Sequence, residues 1–274
     1  MMRHWFAPVL ISLALATPAV AATQEEVDQL MESLRVDDVI SIMRQEGLSY
    51  ARELGDEMLP SGANDRWMQS AGMIYDGEAM EDTLRLQFAD AVAEKDITDA
   101  IDFFGSPLGQ QVVELEVSAR AALLDDAIDE ASRDAMFRAM QAENSRLDLI
   151  TRFIEAGDLI EANVAGALNA NFAFYRGMSE GGMMADMPER EMLATVWEQV
   201  DEVRGETEEW LYSYLFMAYT PLSDEELAAY VAFSESRSGQ SMHRALFEGF
   251  DVMYVAISRS LGLGIAQIRS AQDL

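Results

Sequence analysis

Cysteine is absent from the 274-residue chain, lysine occurs once, at Lys95, and histidine only twice, at His4 and His243. Each absence removes a class of chemistry. Without thiols there is no disulfide, no cysteine nucleophile, no Cys-ligated zinc and no iron–sulfur cluster. One amine leaves one candidate for Schiff-base catalysis. Two histidines leave little material for a Ser–His–Asp triad or a multi-histidine metal site. Positive charge is scarce altogether: 19 Lys plus Arg stand against 49 Asp plus Glu, a formal net charge of −30. Such a chain repels phosphate, which argues against nucleic acid and anionic lipid as partners. Strand signals are missing too. Alternating β-branched runs do not occur, and the one Asp-Gly pair, Asp76-Gly77, precedes a helical pattern.

What is present reads as globular and helical, with half of the residues apolar and a quarter charged. Residues 1–22, MMRHWFAPVLISLALATPAVAA, have a basic residue at Arg3, an apolar stretch from Phe6 to Ala16 and a small-x-small ending at Ala19-Val20-Ala21. This is the pattern of a secretory signal peptide, too short to span a membrane. It predicts export, to a bacterial periplasm, of a mature chain one unit more negative still.

Helix starts and stops follow at intervals. Thr23 with Glu26 is a capping box that opens the mature chain. Val36 to Leu54 is amphipathic and ends at Gly55; Tyr50 falls on its apolar face. Asn64 or Asp65 caps a helix carrying Trp67, and Gly77 to Ala93 continues at helical spacing. Met136, Met140, Leu147, Ile150 and Ile154 mark one face of a long helix stopping at Gly157, after which Asp158-x-x-Glu161 restarts the chain. Pro188 suits a first helical position. Ser223 and Glu226 form a second capping box, with Leu222 and Leu227 as its hydrophobic staple.

A self-similarity links residues 130 positions apart. Trp67 falls on Trp197, Phe103 on Phe233, Ser106 on Ser236, Gly109 on Gly239 and Gln110 on Gln240. The shared block F-x-x-S-x-x-G-Q reads as a helix, a tight corner capped by the serine, and a second helix whose glycine lets a neighbour approach closely. Neither serine has a base nearby in sequence, so both are read as caps. The predicted fold is therefore all-α, with two similar helical repeats, 23–157 and 158–274, packed as antiparallel hairpins in one bundle-like body.

The stretch L-S-D-E-E-L-A-A-Y-V-A-F-S-E-S-R-S-G-Q, residues 222–240, resembles the signature of the DUF2059 family, roughly L-[ST]-x-x-E-[IL]-x-x-[IL]-x-x-F-[YF]-x-S-x-x-G. Leu222, Ser223, Glu226, Leu227, Phe233, Ser236 and Gly239 match, and Tyr230 is an apolar substitute. Ser234 departs where an aromatic is usual, whereas Phe104 keeps it in the first copy. That copy, V-A-E-K-D-I-T-D-A-I-D-F-F-G-S-P-L-G-Q, lacks the serine cap at Ala93. The resemblance implies an exported bacterial all-helical protein and carries over no catalytic residues.

Candidate chemistry is thin. His243, the one histidine left after export, lies within an amphipathic helix and reads as a packed or surface residue. Asp125, Asp126, Asp129 and Glu130 lack EF-hand spacing and read as a solvated face. Met178, Met183, Met184, Met187 and Met192 crowd into 178–192, partly in a glycine-containing loop. Clustered thioethers suit Cu(I), and equally an adaptable apolar lid. No catalytic, cofactor-binding or metal-binding residue is assigned. The expected function is a non-enzymatic periplasmic interaction or scaffold protein with a protein partner. The alternatives are a holdase-like chaperone, an amphiphile binder or a Cu(I) carrier.

Overall fold

A computed structural model of the chain describes residues 22–272. The signal-peptide expectation therefore lies, except for Ala22, outside the described residues. Among these residues there is no strand. Thirteen helices follow one another: α1 Gln24–Ser33, α2 Val36–Met58, α3 Asp65–Ile74, α4 Gly77–Val92, α5 Thr98–Gly105, α6 Pro107–Ala122, α7 Asp126–Gln141, α8 Arg146–Ala156, α9 Leu159–Glu180, α10 Glu189–Trp197, α11 Val200–Tyr219, α12 Asp224–Ser234 and α13 Arg237–Gln272. Among the described residues no helix is long and apolar enough to cross a membrane.

Local chemistry explains most of the starts. Both capping boxes form: Thr23 and Ser223 each accept from the backbone of a glutamate three residues on, and that glutamate accepts from the cap backbone. Asn64 caps α3 through Trp67 N at 3.0 Å. Elsewhere the expected boundaries shift. Between Met136 and Gly157 the chain breaks at residues 142–145 into α7 and α8, which leaves Met140 57% exposed while Met136, Ile150 and Ile154 are buried. Asp158 makes no side-chain cap and sits in the left-handed region at φ 52°, and Gly157 is right-handed, not left-handed. Pro188 is the N-cap of α10 instead of its first helical residue. Helix α2 runs past Gly55 to Met58, and Gly55 instead gives the Trp67 indole room against the helix; Tyr50 is 50% exposed.

The packing is reciprocal across the middle of the chain. Helix α6 lies on α11, and α13 lies on α4; α12 touches α6, and α5 touches α13. Helix α13, 36 residues and so roughly 54 Å long, runs beside α9 for much of its length. The two backbones meet at glycines: a Cβ on Gly177 would stand 2.0 Å from Arg259 O, and one on Gly262 would stand 2.1 Å from Phe174 O. One apolar cluster holds residues from Val27 to Ile268, including Trp67, Phe88, Phe104, Ile150, Tyr219 and Leu261.

Both F-x-x-S-x-x-G-Q blocks form corners. Ser106 Oγ and Ser236 Oγ each accept from the glycine amide three residues on, at 3.1 Å in both cases. A Cβ on Gly109 would stand 2.1 Å from Phe103 O; on Gly239 it would stand 2.3 Å from Phe233 O. The corner thus has no room for any side chain at that position. Phe103 and Phe233 stack on each other at 4.2 Å and 9°.

Candidate functional site

Behind the two corners lies a cavity of about 490 Å³. Its walls come mainly from α6, α9, α11 and α13, with Leu34 after α1, Met43 of α2, Phe104 of α5, Phe153 of α8 and Tyr230 of α12. Helix α9 makes the room: Ala162, Gly166, Ala167 and Ala170 face the space with almost no side chain. Aromatic and aliphatic groups supply the rest of the wall. Glu116 and Arg120 on α6, Asn163 on α9, and His243 and Asp251 on α13 break the apolar surface.

Glu116 stands on the face of α6 that also carries Gly109, Val112 and Val113, so the helix repeat turns it inward. Its Oε1 accepts from Tyr219 at 2.6 Å and from Tyr230 at 3.1 Å, and Tyr214 donates to its backbone carbonyl at 3.1 Å. Burial pushes the Glu116 carboxyl above its ordinary range, and the two hydroxyls pull it partly back. The same burial, with the carboxylate beside them, drives both hydroxyls well above the usual tyrosine range.

Arg120, one helical turn further, donates through Nε at 3.0 Å and Nη2 at 2.8 Å to Glu46 of α2, a two-pronged pair. Its guanidinium also lies over Trp210, 5.9 Å from the ring centre. Burial works against its charge, but Glu46 outweighs burial and holds it firmly protonated. His243 is buried, which pushes it down to about 4. Its ring meets Phe153 edge-on at 5.7 Å, and its Nε2 has no hydrogen-bond partner among the described residues. Asp251 accepts from Asn169 Nδ2 at 3.0 Å.

The wall is chemically neutral at His243, holds an internally compensated cation at Arg120, and presents carboxyl groups at Glu116 and Asp251. It can take an apolar body and a polar head. No serine or threonine hydroxyl bonds to His243, and no three His, Asp or Glu among the described residues lie together as a metal set.

The sequence candidates scatter. Ser106 and Ser236 are caps at the corners. Asp125 caps α7 through Ala127 N, Asp129 pairs with Arg133 at 3.0 Å, and Asp126 and Glu130 are exposed. Of the five clustered methionines, Met178 and Met192 are buried in α9 and α10, and Met183 packs on the core. Of the residues weighed for chemistry, His243 alone lines the cavity, beside Phe104 and Tyr230 of the motif. Glu116 and Arg120 went unremarked, although a signal exists: at 109, 113, 116 and 120 one helix face carries two charges among apolar residues.

Residues 78–136, from α4 into α7, match the model of a family described as an uncharacterized protein conserved in bacteria (DUF2059). This is the family that the 222–240 motif resembles, and the match falls on the other copy of the block, including Glu116 and Arg120. Neither the curated proteins nor the solved structures contain a match to the chain.

Proposed function

We propose that this is a non-enzymatic binding protein of the bacterial periplasm, exported by residues 1–22, whose cavity takes an apolar or amphiphilic small molecule. The cavity carries the reading. Its volume falls in the range of about 300–1,000 Å³ typical of small-molecule sites, with mostly apolar walls and a few convergent polar groups. A binding role, not catalysis, is supported by how those groups are engaged. Arg120 is held by Glu46, Glu116 by two hydroxyls, and His243 has neither a nucleophile nor an orienting carboxylate on its ring.

We also read the chain as an internal duplication in which α1 to α6 correspond to α8 to α13, with α7 between them. Reciprocal packing supports it, as does burial. Val27, Leu30, Met31 and Val36 are buried at the same spacing as Ile150, Phe153, Ile154 and Leu159. Both units enter their second helix through a left-handed residue, Arg35 or Asp158. On this reading the second unit starts at Arg146, earlier than residue 158. Trp67 and Trp197 then fall outside the correspondence: one is buried near the start of α3, the other is 67% exposed at the end of α10.

The test is binding of the neutral fluorophore N-phenyl-1-naphthylamine to the purified exported protein. We expect saturable one-to-one binding that is lost in Ala167→Trp, which fills the space, with helical circular dichroism retained. Unchanged binding in Ala167→Trp would overturn the reading. The scaffold role is the second reading, favoured by Phe137 and Met140 on α7, 58% and 57% exposed. Crosslinking in intact cells to one specific partner, lost in Phe137→Ser, would put it first.

A further inference from the structure

The charges of the cavity wall do not cancel, and their imbalance has a sign. Arg120 is its one permanent cation, and that charge is already spent. Nε and Nη2 are engaged by Glu46, and the flat side of the guanidinium is covered by Trp210. An anionic head group at Nε or Nη2 of Arg120 would have to displace Glu46, which would leave a carboxylate stranded at a partly buried position. His243 supplies no positive charge.

The carboxyl groups are in the opposite state. Neither Glu116 nor Asp251 has a Lys, Arg or His within ion-pair distance among the described residues. Both hydroxyls at Glu116 land on Oε1, so Oε2 is left without a donor among the described residues. Asp251 has one neutral amide on Oδ1. Aromatic side chains line the same space, among them Phe247, Phe250 and Tyr254, and ring quadrupoles attract cations. The net charge of the whole molecule, −30, draws cations toward the surface as well.

We propose that the occupant is a cationic amphiphile, a long-chain amine or quaternary ammonium compound, whose head is held by the carboxylates of Glu116 and Asp251 within the aromatic wall and whose chain fills the apolar remainder. This rests on the reading of the cavity as a small-molecule site and adds the charge of what it takes. The two carboxylates are binding residues; Arg120 and Glu46 act through each other to exclude anions.

The test uses displacement of N-phenyl-1-naphthylamine by three probes of one chain length: decyltrimethylammonium, decanol and decanoate, all below their micelle concentrations and at 0.3 M salt. The cation should displace at about tenfold lower concentration than decanoate, with decanol between them. In the double variant Glu116→Gln, Asp251→Asn, which keeps size and hydrogen-bond acceptors, that order should collapse toward decanol. A thermal shift induced by each probe gives a second readout if the double variant binds the fluorophore weakly. Decanoate equal to or tighter than the cation overturns the charge assignment and leaves the cavity reading intact. A cation preference that survives in the double variant also overturns it, because the preference then belongs to the acidic surface. Failure of the fluorophore and all three probes to bind overturns the cavity reading itself.

Discussion

The corner between α5 and α6 and the corner between α12 and α13 are made of the same parts, and the helices that leave them are not. In each corner a serine caps the next helix at 3.1 Å, and a glycine lies against the carbonyl of the phenylalanine six residues earlier. Seven and eleven residues past the glycine the likeness ends. Helix α6 brings Glu116 and Arg120 to the cavity, whereas α13 brings Leu246 and Phe250. A corner asks for a capping side chain at its serine and tolerates nothing but glycine three residues on, because an added Cβ there meets backbone. A cavity wall asks only that its groups fit together. Two equivalent positions can then diverge, one side becoming polar and the other aromatic, and a cavity with two unlike walls is suited to an amphiphile.

The largest test of the shared part is Gly109→Ala against Gly239→Ala. In both, the new methyl would overlap backbone, not the end of a flexible side chain. Each should lose about 3 kcal/mol or more of stability, read from urea unfolding midpoints with unchanged slope. Similar losses would sharpen the equivalence; a near-neutral Gly239→Ala would break it. Gly72, with open space around it, is the control, and Gly72→Ala should cost nothing.

The diverged part shows in pH dependence. His243 occupies the place that Val113 takes on α6. Its folded value is pushed down to about 4, against 6.5 in the unfolded chain. The unfolded state therefore binds the proton first, and stability falls as pH drops from 6.5 to 4, by roughly 3 kcal/mol at most. In His243→Val that acid loss should shrink. Glu116 has the opposite sign. Its folded value is raised, so its contribution is intact below 4.5 and is lost as pH climbs through the raised value. Glu116→Gln should flatten that decline and leave the acid limb alone. If both variants altered the same limb, the two walls would not be electrostatically distinct.

These contrasts also mark what the sequence could and could not disclose. Caps and corners are local, so Thr23, Asn64, Ser106, Ser223 and Ser236 were legible as soon as spacing was read. The all-helical character and the paired blocks were legible for the same reason. The break at residues 142–145 was not, because Met136, Met140 and Leu147 keep helical spacing across it; only burial separates Met136 from the exposed Met140. The cavity was illegible for a different reason. It is a space left by small residues on α9 and bounded by side chains from helices distant in sequence. Tyr219 and Tyr230, which hold Glu116, are 103 and 114 residues away from it.

Smaller effects probe the corners one interaction at a time. Ser106→Ala and Ser236→Ala each remove one cap and should cost about 1 kcal/mol by the same unfolding measurement. Ser106 should be the costlier, because its hydroxyl also donates to Phe103 O at 2.6 Å.

The smallest test asks whether the two corners recognise each other. Phe103 and Phe233 each stand three residues before their serine, and they stack on one another at 4.2 Å, as equivalent residues do across a two-fold contact. In a double-mutant cycle with Phe103→Leu and Phe233→Leu, burial is largely kept and the ring pair is lost. The coupling should be about 0.5–1.5 kcal/mol. A second cycle breaks the symmetry. Phe103 also stacks on Tyr230, at 5.5 Å, but under the proposed duplication the residue that corresponds to Tyr230 is Ala100, which offers Phe233 no ring. Phe103 should therefore couple measurably to Tyr230, and Phe233 not at all to Ala100. The cavity shows the same asymmetry: the Tyr230 hydroxyl reaches Glu116, whereas the residue 130 positions after Glu116 is Leu246, which has no carboxylate to accept such a bond.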